Sequence, residues 1–85
     1  MSAALTEQDL IEGSAIAAVH YAREAVCWRR RAKELATGTG RPSVMTRRQA
    51  LAKALAAERR VVNAAVGIEV RLQRLADLAD QGASA

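Results

Sequence analysis

Gly38-Thr39-Gly40-Arg41-Pro42-Ser43-Val44-Met45 is the only sustained interruption in a chain that otherwise reads as helix. Gly38 can take the left-handed conformation that closes a helix C-terminus, and Pro42 cannot continue a helix. Immediately afterwards, Thr46-Arg47-Arg48-Gln49 has the spacing of a capping box, in which the threonine hydroxyl and the glutamine side chain satisfy each other's backbone N–H groups. The arms on either side are similar in length. The expected fold is therefore all-α, a single domain built as an antiparallel helical hairpin. Helix 1 is expected over about 7–37, the turn over 38–45, helix 2 over about 47–81, and a frayed tail over 82–85 after a stop at Gly82.

The first arm opens with Leu5-Thr6-Glu7-Gln8-Asp9-Leu10. Thr6 is placed as an N-cap with Asp9 as a weaker capping-box partner, and Leu5 and Leu10 stand where a hydrophobic staple packs. Glu7, Asp9 and Glu12 lie at the end where the helix dipole favours negative charge. Beyond them a stripe of small residues recurs at three-, four- and seven-residue steps: Ile11, Ala15, Ala18, Ala22, Ala25, Ala32 and Ala36. Val19 and Val26 flank it on one side, and Leu10, Tyr21, Trp28 and Leu35 on the other. A partner helix can approach closely along such a seam.

The second arm has a clearer heptad. Leu51, Glu58, Ala65, Leu72 and Ala79 form one row, and Ala54, Val61, Ile68 and Leu75 the companion row, with Leu55, Val62 and Ala76 widening the stripe. This is the pattern of left-handed, coiled-coil-like packing. Each arm should be roughly 45–50 Å long at 1.5 Å per residue. The stripes are wider than one neighbouring helix can cover, and each large apolar residue adds roughly 1.5–3 kcal/mol only when it is covered. Two hairpins packed as a four-helix bundle would cover both stripes and the Tyr21, Trp28 and Leu35 shoulder, so a homodimer is expected.

Composition limits the functional classes. The chain has 85 residues, 20 of them alanine, with one Trp, one Tyr and no Phe. That is enough for one small domain with a thin core. A lone Cys27 cannot form an internal disulfide and fits a reducing, cytoplasmic setting. The N-terminal residues lack the basic-then-apolar pattern of a signal peptide. The longest apolar run, Ala15 to Val19, is far shorter than the ~20 residues of a membrane span. His20 and Cys27 are seven residues apart, about 10 Å along a helix and too far for one metal ion. Ala17 stands where a di-iron bundle would need glutamate. No catalytic, metal or cofactor motif is present, and the expectation is a protein that is not an enzyme and carries no cofactor.

Charge is the most informative feature. Net charge is +4, unevenly distributed. Residues 23–60 hold eleven Lys and Arg against three acids, a net +8, whereas the remainder holds two basic residues and six acids, a net −4. Folding as a hairpin makes the turn end basic and the open end acidic. Arg30, Arg31, Arg41, Arg47 and Arg48 are the candidate partner-binding residues of that end. Arg30 and Arg31 also suit a helix C-terminus, but Arg47 and Arg48 oppose the dipole of the helix they begin. Read structurally, the same charges are a solvated face.

Two further features stand out. Arg29 and Glu58 fall in the middle of their stripes at similar heights, the arrangement of a core ion pair that fixes register. The outer face of helix 2, Ala52, Ala56, Asn63, Gly67 and Val70, is small and smooth and reads either as tolerated drift or as a second interface. The leading functional expectation is a non-enzymatic protein–protein interaction module acting as a hairpin dimer, such as a regulator, inhibitor or assembly adaptor, whose partner is another protein of acidic character. The alternative is nucleic-acid binding by the basic turn end, although no helix-turn-helix or aromatic platform is present.

Overall fold

The computed structural model describes residues 5–41 and 43–84. Two helices, α1 (Glu7–Thr37) and α2 (Arg47–Ser84), pack against each other as an antiparallel hairpin. Pro42, expected to help break the helix, lies outside the described residues, as does Ala85 of the expected tail.

Each helix boundary follows from its sequence. The Thr6 hydroxyl accepts from the Asp9 N–H at 3.1 Å while the Asp9 carboxylate accepts from the Thr6 N–H at 3.0 Å. Gly38 takes φ 71°, ψ 18°, and its N–H returns to the Glu34 carbonyl. At α2 the Thr46 hydroxyl accepts from the Gln49 main-chain N–H at 3.1 Å, and the Gln49 side-chain Oε1 accepts from the Thr46 N–H at 2.8 Å. The C-terminus of α2 departs from expectation, because the helix runs through Gly82 to Ser84. A helical glycine costs about 1 kcal/mol relative to alanine. Alone, without a following proline or a left-handed turn, it does not end a helix.

The seam is made of alanine. The buried apolar residues are Ala25 and Ala32 on α1 and Ala50, Ala54 and Ala57 on α2. Half-buried residues extend it, among them Ala18, Tyr21, Trp28 and Leu35 on α1 and Val61, Ala64 and Ile68 on α2. This differs from the sequence expectation in phase. On α1, Ala15, Ala22, Ala36, Val19 and Val26 lie exposed, and the contact line is rotated toward the aromatic shoulder. On α2, Ala50, Ala57, Ala64 and Arg71 replace the expected row, which leaves Ala65, Leu72 and Ala79 exposed. The distance between helices follows the size of the side chains at the contact. Alanine facing alanine lets the helices close further than a row containing Leu51 and Leu72 would allow.

The hairpin is a single layer with Cα extents of 65 × 30 × 14 Å. At its open end Arg71 and Arg74 of α2 both reach Glu7 in the first turn of α1, at 3.0 and 3.4 Å. Past that clasp, residues 72–82 of α2 are all exposed.

Candidate interaction surfaces

The five arginines proposed for the turn end do not form one cluster. The Arg31 guanidinium donates to Glu34 Oε2 at 3.0 Å and to the main-chain carbonyl of Arg41, and its side chain is only 20% exposed. It therefore pegs the turn to the end of α1. Arg31 and Arg41 border one shallow hollow with Glu34, Gly40 and Ser43, and Arg47 and Arg48 border another with Leu51, Ala52 and Leu55. The side chains of Arg30, Arg47 and Arg48 make no hydrogen bond or ion pair with the described residues.

The Arg29–Glu58 pair forms, and it is bidentate. Arg29 Nε donates to Glu58 Oε1 at 2.7 Å and Nη2 donates to Oε2 at 2.9 Å. It is not a core pair, however, because the side chains are 50% and 39% exposed. The rotated seam explains the difference, since it carries positions 29 and 58 onto the surface above the contact line. The hydrogen bond from Arg29 holds the Glu58 carboxyl below its ordinary value against a smaller opposing desolvation, and Arg29 is raised in return. At the open end the Arg71 hydrogen bond lowers Glu7 in the same way, with Arg74 adding a smaller contribution.

The bridge also identifies the apolar surface. Arg29 lies one turn from Val26, and Glu58 lies one turn from both Leu55 and Val62. By helical spacing, these residues lie toward one broad face of the hairpin, with Val19, two turns from Val26, and Leu72, four turns from Glu58. The valines and leucines on it are each between 52% and 60% exposed.

On the opposite broad face, two cations of α2 lie over the aromatic rings of α1. Lys53 Nζ sits 5.1 Å from the Trp28 ring centroid, and the Arg60 guanidinium carbon sits 5.1 Å from that of Tyr21. Both distances lie within cation–π range. Trp28 and Tyr21, expected to need a second subunit, are thus covered by two cations of helix α2. Sequence reasoning counted Lys53 and Arg60 only as charge, because the pairing depends on the height at which the helices meet. The Glu7 clasp was missed for the same reason.

On the outer side of α2, Ala52, Ala56, Asn63 and Val70 are exposed and Gly67 is half-buried. A Cβ placed on Gly67 would meet nothing within 4 Å, so no contact within the hairpin requires a glycine there. His20 is 3.8 Å from Glu24 on the surface, and Cys27 is exposed. Among the described residues, no group of three or more His, Cys, Asp or Glu stands close enough to hold a metal ion. Among the same residues, no helix is long and apolar enough to cross a membrane. In comparisons with known proteins, the chain matches no family model, no curated protein and no solved structure.

Proposed function

We propose that this chain is a small non-enzymatic interaction module, a helical hairpin that works as a dimer and holds a macromolecular partner through its basic turn end. The observation that carries the reading is the mismatch between core and surface. The buried apolar residues are alanines, whereas Val19, Val26, Leu55, Val62, Val66 and Leu72 stand half or more exposed. Apolar surface of that extent on a small soluble domain marks an interaction site. The partner at the turn end is an acidic protein, met by the unengaged guanidiniums of Arg30, Arg47 and Arg48.

The same free guanidiniums favour nucleic acid as a second reading, since phosphates would engage them equally well. Two measurements separate these. Affinity capture from native-host extract, with wild type compared against Arg47→Glu plus Arg48→Glu, should identify an acidic protein that only the wild type retains. Nucleic-acid retention should be weak and non-specific. Micromolar binding to nucleic acid that falls steeply with salt would favour the second reading.

A further inference from the structure

We infer that the exposed apolar face is occupied by a second copy of this chain, docked head-to-tail so that each turn lies over the other copy's open end. The inference rests on the reading of the chain as an interaction module and specifies which face serves self-association and in which orientation.

Shape is the first argument. A layer with a Cα thickness of 14 Å is half of a two-layer helical bundle. The broad face that carries the exposed valines and leucines, with the Arg29–Glu58 pair among them, is about 45 Å long and about 20 Å wide for two helices side by side. That gives roughly 900 Å², close to the ~800 Å² per partner of a standard stable interface. The other broad face carries Lys53 over Trp28 and Arg60 over Tyr21, whereas no such cation lies over the exposed valines and leucines.

The face is complementary to itself only in one orientation. A two-fold axis crossing α1 midway between Val19 and Ala22 sets each valine against an alanine: Val19 opposite Ala22 of the second copy, and Val26 opposite its Ala15. On α2 the midpoint of Leu51 and Leu72 falls at Val61–Val62. That midpoint lies within about a helical turn of the level of Tyr21, whose ring the Arg60 guanidinium meets. One axis therefore serves both helices, pairing Leu51 with Leu72 of the second copy and bringing the two Val62 side chains together.

Charge selects the same orientation. Residues 23–60, at the turn end, carry a net +8 and the remainder a net −4. Head-to-tail docking sets the basic end of each copy over the acidic end of the other. Docking with both turns at one end would bring the two +8 regions together.

The test uses the full chain with Cys27→Ser and a nitroxide at Val44→Cys, a position fully exposed in the turn. Head-to-tail docking predicts a label separation of about 45 Å or more, the length of α1 at 1.5 Å per residue. Docking with both turns at one end predicts roughly 10–20 Å, set by the spacing of neighbouring helices. In parallel, Val62→Cys in the Cys27→Ser chain should oxidise to a disulfide-linked dimer, because it lies at the axis. Val62→Arg should weaken the dimer at least tenfold in sedimentation equilibrium, whereas Asn63→Arg, on the outer side of α2, should not. A short label distance, a dimer indifferent to Val62→Arg, or a monomer at all accessible concentrations would overturn the inference. A monomer that still captures its acidic partner through the turn end would overturn this inference and the dimeric part of the broader reading, and would leave partner capture by the turn end standing.

Discussion

Gly38 and Gly40 both hold positive φ, 71° and 82°, but a side chain at each meets different surroundings. At Gly38 a Cβ finds nothing within 4 Å, so Gly38→Ala should cost only the left-handed backbone term, about 1–2 kcal/mol. At Gly40 the Cβ would lie 2.6 Å from Glu34 Oε2 and 3.1 Å from Arg31 Nη1. Gly40→Ala must therefore also displace the pair that pegs the turn. Urea unfolding should show Gly40→Ala as the more damaging substitution, and Glu34→Ala should bring the two closer together; equal costs in the native background would remove Arg31–Glu34 from the turn's stability.

The acidic side chains carry a pH prediction. Glu7 and Glu58 are both held below the ordinary glutamate value of 4.5, each first by a hydrogen bond from arginine. A carboxylate depressed in the fold contributes stability that is present above its unfolded pKa and lost as pH falls through its folded pKa. The melting temperature should hold level near neutrality and decline below about pH 4.5. Glu7→Gln with Glu58→Gln should flatten that decline. The Arg29–Glu58 pair is exposed in the single hairpin and the Glu7–Arg71 pair is half-buried, so high salt should erode the first more than the second.

At the scale of elements, α2 begins against its own dipole. Arg47 and Arg48 occupy its first turn, which contains no acid, whereas α1 begins with Glu7 and Asp9. A cation in that position opposes the dipole by typically 0.3–1 kcal/mol. Arg47→Glu with Arg48→Glu should therefore melt at or slightly above wild type while losing the acidic partner. A variant that melts higher and still binds at wild-type affinity would move the partner site away from the turn, with the smooth side of α2 next in line. By contrast, Thr46→Ala should cost about 1 kcal/mol through loss of the capping box. The residue worth keeping for the helix and the residues kept despite the helix stand side by side.

For the whole molecule, the two broad faces should respond differently to assembly. Trp28 lies under Lys53, on the broad face opposite the exposed valines and leucines. Its quenching by iodide should stay unchanged as concentration carries the chain from monomer to dimer, although the melting temperature rises. A Trp28 that becomes shielded on dimerisation would place the interface on the cation-covered face instead.

The helices were legible because their causes are local. Thr6 with Asp9, Thr46 with Gln49, and Gly38 each satisfy backbone groups within a turn of themselves, so the hairpin, its turn and most of its boundaries follow from neighbouring residues. Gly82 does not end α2, because an isolated glycine is a local cost and not a stop. Which residues form the seam was decided only by tertiary packing. The apolar stripes are wide enough to allow several rotations, and the close approach of Ala25 and Ala32 to Ala50, Ala54 and Ala57 selected one. That choice moved Arg29 and Glu58 from the core to the surface. It put Lys53 over Trp28 and Arg60 over Tyr21, and it turned Val19, Val26, Leu55 and Val62 outward. A repeat in the sequence specifies that a helix has an apolar side, but the phase of that side depends on the distance at which two helices can meet, and only their packing sets that distance.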